Sequence, residues 1–421
     1  MSWTKKTAVA FGILAATAAG GAFADGAKQS GAPAAWQSVA KDAIPVVFQV
    51  DGADMLKSRE KFRAGDKAIV STVKKIVSEA DEVLDTPPFS VVNKKGMPPS
   101  GDKHDYMSLS PYWWPDPSKP DGKPYIRKDG EFNPERADYD VDPLDKLSSA
   151  TENLSLAYFF TGDEKYAQKC AELMRTWFID PSTRMNPHLK YAQFVPGYDK
   201  PRPSGIIEGG RFRDVVDAAG YIAGSPHWSE EDQKAMQAWF KDLLTYITTS
   251  EQGKTELNQK NNHGTWAQVQ TATYALFIGD EKQARKLLER YKTLIQDQIK
   301  PDGTQPEELV RTLSFHYSRF NLVALADLAS MGERLGMDLW NYKTDDGKSM
   351  RTAIDYLLPY TLEEQPWPHQ QIRPAKFSDM IPVLRRAANA YNEPKYELAA
   401  KKLQEKDSRV LVDLMYPSNV Q

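Results

Sequence analysis

One phrase recurs three times along the chain and constrains it more than any other feature. Ala157-Tyr158-Phe159-Phe160-Thr161-Gly162-Asp163-Glu164-Lys165-Tyr166 is echoed by Ala275-Leu276-Phe277-Ile278-Gly279-Asp280-Glu281-Lys282 and, more weakly, by Ala388-Asn389-Ala390-Tyr391-Asn392-Glu393-Pro394-Lys395. In each copy an apolar helix stops at a tight polar turn and another helix starts at once. Gly suits the left-handed position that ends a helix, and Asp suits the cap that begins the next. The second turn lies 117 residues (279 − 162) after the first, and the third 230 (392 − 162). Helical hairpins recurring in this way predict an array, either a closed α/α toroid or an open solenoid. The remaining pattern agrees. Helical periodicity runs through 54–84, 153–160, 163–177, 206–223, 229–248, 263–277, 281–299, 306–335, 349–362, 378–391 and 395–405, with little strand alternation. The chain reads as all-α.

The first residues read as an export signal. Lys5 and Lys6 precede the apolar run Ala8–Ala18, and Ala22-Phe23-Ala24 offers a small-x-small cleavage site. That run is too short to span a bilayer. The expectation is a signal over 1–24, a flexible leader over 25–52, and a mature protein that is periplasmic or secreted and free of the membrane. Cys170 is the only cysteine, so no disulfide framework holds the fold. A net charge of −3 gives no argument for a nucleic-acid partner. The 10 Trp and 19 Tyr suit a protein that handles sugars, whose apolar ring faces stack on aromatics.

Between Pro88 and Pro143 the periodicity vanishes into a Pro-, Gly- and Asp-rich stretch. A loop of this length in a compact protein points to function. Within it, Tyr112-Trp113-Trp114-Pro115-Asp116-Pro117 predicts a wall or lid over a groove, with Tyr112, Trp113 and Trp114 as candidate sugar platforms.

Two polar clusters carry the chemistry. Asn261-Asn262-His263-Gly264-Thr265-Trp266 opens a long apolar helix after the polar stretch 251–260. Downstream, Asp302-Gly303-Thr304-Gln305-Pro306 is a turn, and Glu307, Glu308, Arg311, Ser314, His316 and Tyr317 follow on a predicted helix. Arg311 and Tyr317 are six apart, about 600° around an ideal helix, so they would face different sides of it. No HExxH or HxH spacing occurs among the six His, so neither a metal nor another cofactor is expected. Asn262, His263, Arg311 and Tyr317 suit β-elimination on a uronic acid. Asn and His donors with a nearby Arg offset the charge of the sugar carboxylate and of the enolate-like intermediate. A tyrosinate removes the proton on C5, and the same phenol returns a proton to the leaving oxygen.

These residues resemble those of the alginate lyase superfamily of polysaccharide lyases. The resemblance is carried by 261–266, by Asp302–Thr312, by His316-Tyr317-Ser318, by Tyr112–Pro117 and by Met185-Asn186-Pro187-His188, and it extends from about Ser90 to Leu362. It implies an α/α toroid, an incomplete barrel of helical hairpins spanning 53–421 as one domain, with the Pro/Trp-rich loop over its cleft. It implies β-elimination of an anionic polysaccharide, with Asn262 and His263 neutralising the carboxylate, Arg311 assisting and Tyr317 as base and acid. In the best-known family of the group the Tyr follows the Arg by seven residues, whereas here it follows by six and Ser318 takes the seventh place. This suggests a distinct branch, acting on alginate, polymannuronate or glucuronan, with Tyr106, Tyr112 and Tyr191 as the other candidate bases. Tyr191, Gln193, Glu208, Arg211, Trp266 and His316 complete the expected substrate-binding set. Two other readings remain at this stage. A toroidal glycoside hydrolase would draw its acid pair from Asp102, Asp105, Glu208 and Glu308; the alternative is a non-catalytic carbohydrate-binding protein. Oligomeric state is not legible.

Overall fold

The computed structural model describes residues 43–406 and 411–420, so the expected signal over 1–24 lies outside the described residues. The three predicted turns form as expected. Gly162 and Gly279 adopt φ of 72° and 78°, and Asn392 adopts 47°, all left-handed. Asp163 then caps Glu164–Met174 by accepting from the Lys165 N–H, and Asp280 caps Glu281–Glu289 by accepting from Gln283. The helices on either side of each turn pack as hairpins: Val141–Thr161 on Glu164–Met174, Asn262–Phe277 on Glu281–Glu289, and Ile381–Tyr391 on Pro394–Lys406.

Hairpins then pack on one another. Val141–Thr161 lies against Phe212–Tyr221, and Asn262–Phe277 lies against Ser314–Arg334. Both members of the second pair are buried around most of their circumference, as inner helices of an array must be. A single hydrophobic cluster runs through the molecule from Val47 to Tyr416. Cys170 is buried within it, and burial pushes its thiol far up from the ordinary range, which makes it inert. Among the described residues no helix is long and apolar enough to cross a membrane.

Several expected boundaries move. The last part of the expected leader is docked: Val47 and Val50 are buried, and the Phe48 and Gln49 N–H groups donate to Asp217 at 2.7 and 3.0 Å. The single helix expected over 54–84 is two, Gly52–Arg63 and Lys67–Asp81, because Gly65 turns left-handed and Asp66 caps afresh. The polar stretch 251–260 contains a helix, Glu251–Leu257. The helix expected over 306–335 is interrupted between Pro306–Leu309 and Ser314–Arg334.

The Pro-rich stretch is ordered by pairing. Met107–Leu109 runs parallel to Tyr191–Phe194, and Trp113–Trp114 pairs antiparallel with Ile126–Arg127. Lys94 anchors the stretch from beneath. Its ammonium is fully buried, 3.0 Å from Asp140, and donates to the Lys103 carbonyl at 2.8 Å.

Candidate active site

The Asn-His stretch starts a helix, Asn262–Phe277, with Asn261 as its cap. Gly264 is required there, since a Cβ would come 2.0 Å from the Gln259 carbonyl oxygen. Each candidate residue of this turn is backed by a carboxylate. The Asn262 backbone N–H and Nδ2 donate to the two oxygens of Glu308 at 2.6 and 2.7 Å. His263 Nδ1 lies 2.6 Å from Glu256 of the helix Glu251–Leu257, which leaves Nε2 for a ligand. Glu308 is 1% exposed, and burial raises its carboxyl above the usual range although Asn262, Arg311 and His263 oppose the shift. The Glu308 carboxylate thus holds the Asn-His turn, while its backbone carbonyl accepts from the Arg311 N–H at 3.2 Å.

Arg311 falls in the interruption 310–313 rather than on the helix that carries Tyr317, so the six-residue spacing imposes no opposite faces. Its guanidinium folds back over the Tyr317 ring, 3.6 Å from the centroid. It also pairs with Asp129, Nη2 at 2.8 Å and Nε at 3.2 Å. Asp129 comes from the Pro-rich stretch and accepts from the Thr312 N–H and hydroxyl as well. Burial alone would raise the Asp129 carboxyl, yet the bonds from Arg311 and Thr312 hold it far below the ordinary range. Arg311 was expected to meet the substrate carboxylate. In this structure its charge is committed to Asp129 and its face to Tyr317.

Tyr317 is 7% exposed. Its hydroxyl lies 2.8 Å from that of Tyr112, so the Pro-rich stretch delivers two groups, Tyr112 and Asp129, to this centre. Burial and the neighbouring Tyr112 push the Tyr317 phenol well above 10, with Arg311 pulling the other way. At neutral pH the resting phenol is protonated. His316 touches Tyr317 edge-on at 5.2 Å and stacks on Phe320. Burial, then Arg319, Arg311 and Arg373, depress its imidazole to about 3, so it is neutral.

Other expected contacts fall elsewhere. Trp266 is 1% exposed and packs on Phe320 at 4.8 Å; it is a core residue and no sugar platform. Glu208 is 3% exposed and accepts from Tyr106 and Ser108 at 2.7 and 2.5 Å, which fastens the paired strands from inside. Tyr106 is thereby fully buried and is excluded as a base. Arg211 is buried against Asp145, and Gln193 is buried at a left-handed φ of 50° beside Ser108. Neither is a surface contact. Tyr191 is half-buried, between Lys190 and the His188 ring. Trp113 and Trp114 are half-buried, and each has a cation over its ring, Arg202 at 4.7 Å and Lys128 at 5.1 Å. Asp129 and Glu256 were missed as site residues, and Glu308 was named in the polar cluster and as a candidate glycosidase acid but not as the partner of Asn262. Glu256 lies seven residues before His263 but on a separate helix, so no spacing marked it in advance.

A helical-hairpin array in which an inner helix presents Tyr317 under an arginine from the preceding break, with an Asn-His turn at the start of its neighbour, is consistent with the polysaccharide-lyase class. Comparisons identify the family. The alginate lyase family model matches residues 90–367, well over half the chain. An alginate lyase from Bacteroides ovatus, solved as a crystal structure, is 38% identical with a TM-score of 0.86; the match covers 89% of this chain and 99% of that one. The chain belongs to the alginate lyase family and is a polysaccharide lyase. Alginate lyase A1-III from Sphingomonas species A1, at 17% identity and a TM-score of 0.51 over 83% of this chain and 88% of its own, shares the fold, an α/α toroid. A variant of A1-III complexed with a tetrasaccharide superimposes likewise, with a TM-score of 0.55 at 16% identity over 93% and 100% of the two chains. Among curated protein sequences none matches.

Proposed function

We propose that the protein cleaves a polyuronate, alginate or the related glucuronan, by β-elimination, outside the cytoplasm. The observation that carries this is the Tyr112–Tyr317–Arg311–Asp129 cluster, with Glu308, three residues before Arg311 in the chain, bonded to Asn262 at the start of the Asn-His helix. His263, braced by Glu256, donates from Nε2 to the carboxylate of the uronate being cleaved. When Glu308 holds a proton it donates to Asn262 Oδ1, which has no partner in the resting structure, and a turned amide then offers Nδ2 to the same carboxylate. With the carboxylate charge offset, the C5–H bond becomes acidic. Tyr317, once ionised, takes that proton with the Tyr112 hydroxyl donating to its oxygen. The C4–O bond breaks, a C4=C5 double bond forms, and Tyr317 returns the proton to the leaving oxygen. Arg311 acts on the ring of the base, lowering the cost of its negative charge.

The glycosidase reading fails on its acids. Glu208 and Glu308 are buried in hydrogen bonds, and Asp105 is buried with Asn186 and His188 on its carboxylate. No accessible pair remains in that set to flank a sugar. The test is a panel of alginate, polymannuronate and glucuronan, read by the ultraviolet absorbance of the unsaturated product. Tyr317→Phe is expected to lower kcat by about a thousandfold, the scale of a lost general base, with KM nearly unchanged. Wild-type turnover in that variant removes Tyr317 from the mechanism, and absence of product from every polyuronate removes the reading.

A further inference from the structure

Arg202 is a cation without an acid. Most arginines of the inner helices and their flanks are paired: Arg211 with Asp145, Arg213 and Arg386 with Asp327, Arg311 with Asp129, Arg319 with Asp379. Among the described residues no carboxylate lies within ion-pairing distance of Arg202. It is half-buried, with its guanidinium carbon 4.7 Å from the centroid of Trp113. Nearby charges are Arg127, which repels it, and Glu256, which attracts it and is already engaged with His263.

Both halves of this stack are fixed. The Arg202 carbonyl accepts from Gln252 Nε2 at 2.7 Å, one turn before Glu256 on the same helix. The Trp113 carbonyl accepts from Asn133 at 2.8 Å, Tyr198 meets its ring edge-on at 5.5 Å, and its backbone pairs with Arg127. A guanidinium resting on an indole keeps its in-plane N–H groups for a carboxylate, which it grips with two parallel bonds. Gln252 and Glu256 lie on one helix, so the backbone of Arg202 and the ring of His263 are held by the same short element. An unpaired, half-desolvated cation costs free energy unless an anion arrives.

We propose that Arg202, seated on Trp113, binds the carboxylate of the uronate unit next to the one that His263 receives. Arg202 is thus a specificity-determining residue that selects runs of consecutive uronates over chains in which charged and neutral sugars alternate. Trp113 serves as a seat for the cation, and its covered face is not a sugar platform. This rests on the polyuronate reading and names the second charge that reading requires.

The test compares wild type with Arg202→Gln and Arg202→Lys on a polyuronate and on the same polymer with part of its carboxylates reduced to alcohols. Arg202→Gln is expected to raise KM on the intact polymer about tenfold, the scale of one charge-assisted bond, with kcat within about twofold. Its KM should rise less steeply with salt than that of wild type, and Arg202→Lys should restore part of the loss. On the reduced polymer the wild type should lose its advantage over Arg202→Gln. Titrating an oligouronate into both proteins reads the same contact without turnover, so it stands even if no unsaturated product forms. Equal affinity and equal salt dependence in wild type and Arg202→Gln overturn the proposal.

Discussion

The ionisation of Tyr317 is contested by two neighbours of opposite sign. Arg311 stacks on its ring and favours the phenolate, while Asp129 neutralises that cation and favours the phenol. Burial adds to the second side, so the resting phenol stays protonated. Asp129→Asn removes a negative charge and lowers the Tyr317 pKa. The rising, base-dependent limb of the pH profile of kcat/KM should therefore shift to lower pH, and in Arg311→Gln it should shift to higher pH. Coincident limbs in the two variants would sever the link between these charges and the proposed base. Of this set, Arg311 and Tyr317 were legible as residue types at a spacing. Asp129 was not, because it is 182 residues from Arg311 in a stretch whose many acids look alike until the chain folds. Trp266 misled for the opposite reason. It lies three residues after His263, about 300° around an ideal helix, and the remaining offset of about 60° is enough to put its ring on Phe320 in the core.

Elements were read best where a turn imposed them. The left-handed Gly162 and Gly279, each followed by a capping Asp, gave hairpins directly from local chemistry. The same punctuation at Gly65-Asp66 was passed over inside a longer apolar period, and a break with no such punctuation was missed as well. The interruption at 310–313 has no Gly or Pro; it is set by long-range bonds, Ser314 N–H to the Gln370 carbonyl and Thr312 to Asp129. The two kinds of glycine should respond differently to substitution. Gly279→Ala places a Cβ at a left-handed φ and should cost about 1 kcal/mol of stability while leaving kcat/KM intact. Gly264→Ala drives a Cβ into the Gln259 carbonyl, whose distance from it would be 2.0 Å, and must displace the turn that carries Asn262 and His263. Its loss of kcat/KM should exceed what its shift in melting temperature accounts for. Equal losses of activity in the two variants would deny the helix start its positioning role.

At the scale of the molecule, a fold built from inner helices buries charge along with apolar surface. Burial pushes Asp140 and Asp217 to about 6 and Glu333 to about 7. Each binds its proton more tightly in the folded chain than in the unfolded one, where carboxyls titrate near 4. Between about pH 4 and pH 7 the native state therefore carries more protons, and stability falls as pH rises through that window. His316 acts in the opposite sense, since its folded value of about 3 leaves the unfolded chain with the extra proton up to about 6.5. One imidazole against three carboxyls leaves the net slope negative. The melting temperature should be higher at pH 5 than at pH 7.5 at equal ionic strength. Glu333→Gln cannot titrate, so its melting temperature should change less across the same interval. Glu333 is the cleanest probe because it lies on the helix Ser314–Arg334 well beyond Tyr317, four turns along, so the substitution leaves the reaction centre in place. A wild-type melting temperature that climbs steadily from pH 5 to pH 7.5 would mean that the buried acids are ionised in the fold and compensated by their cations. The toroid would then gain stability from its internal charges as pH rises, the opposite of what burial predicts.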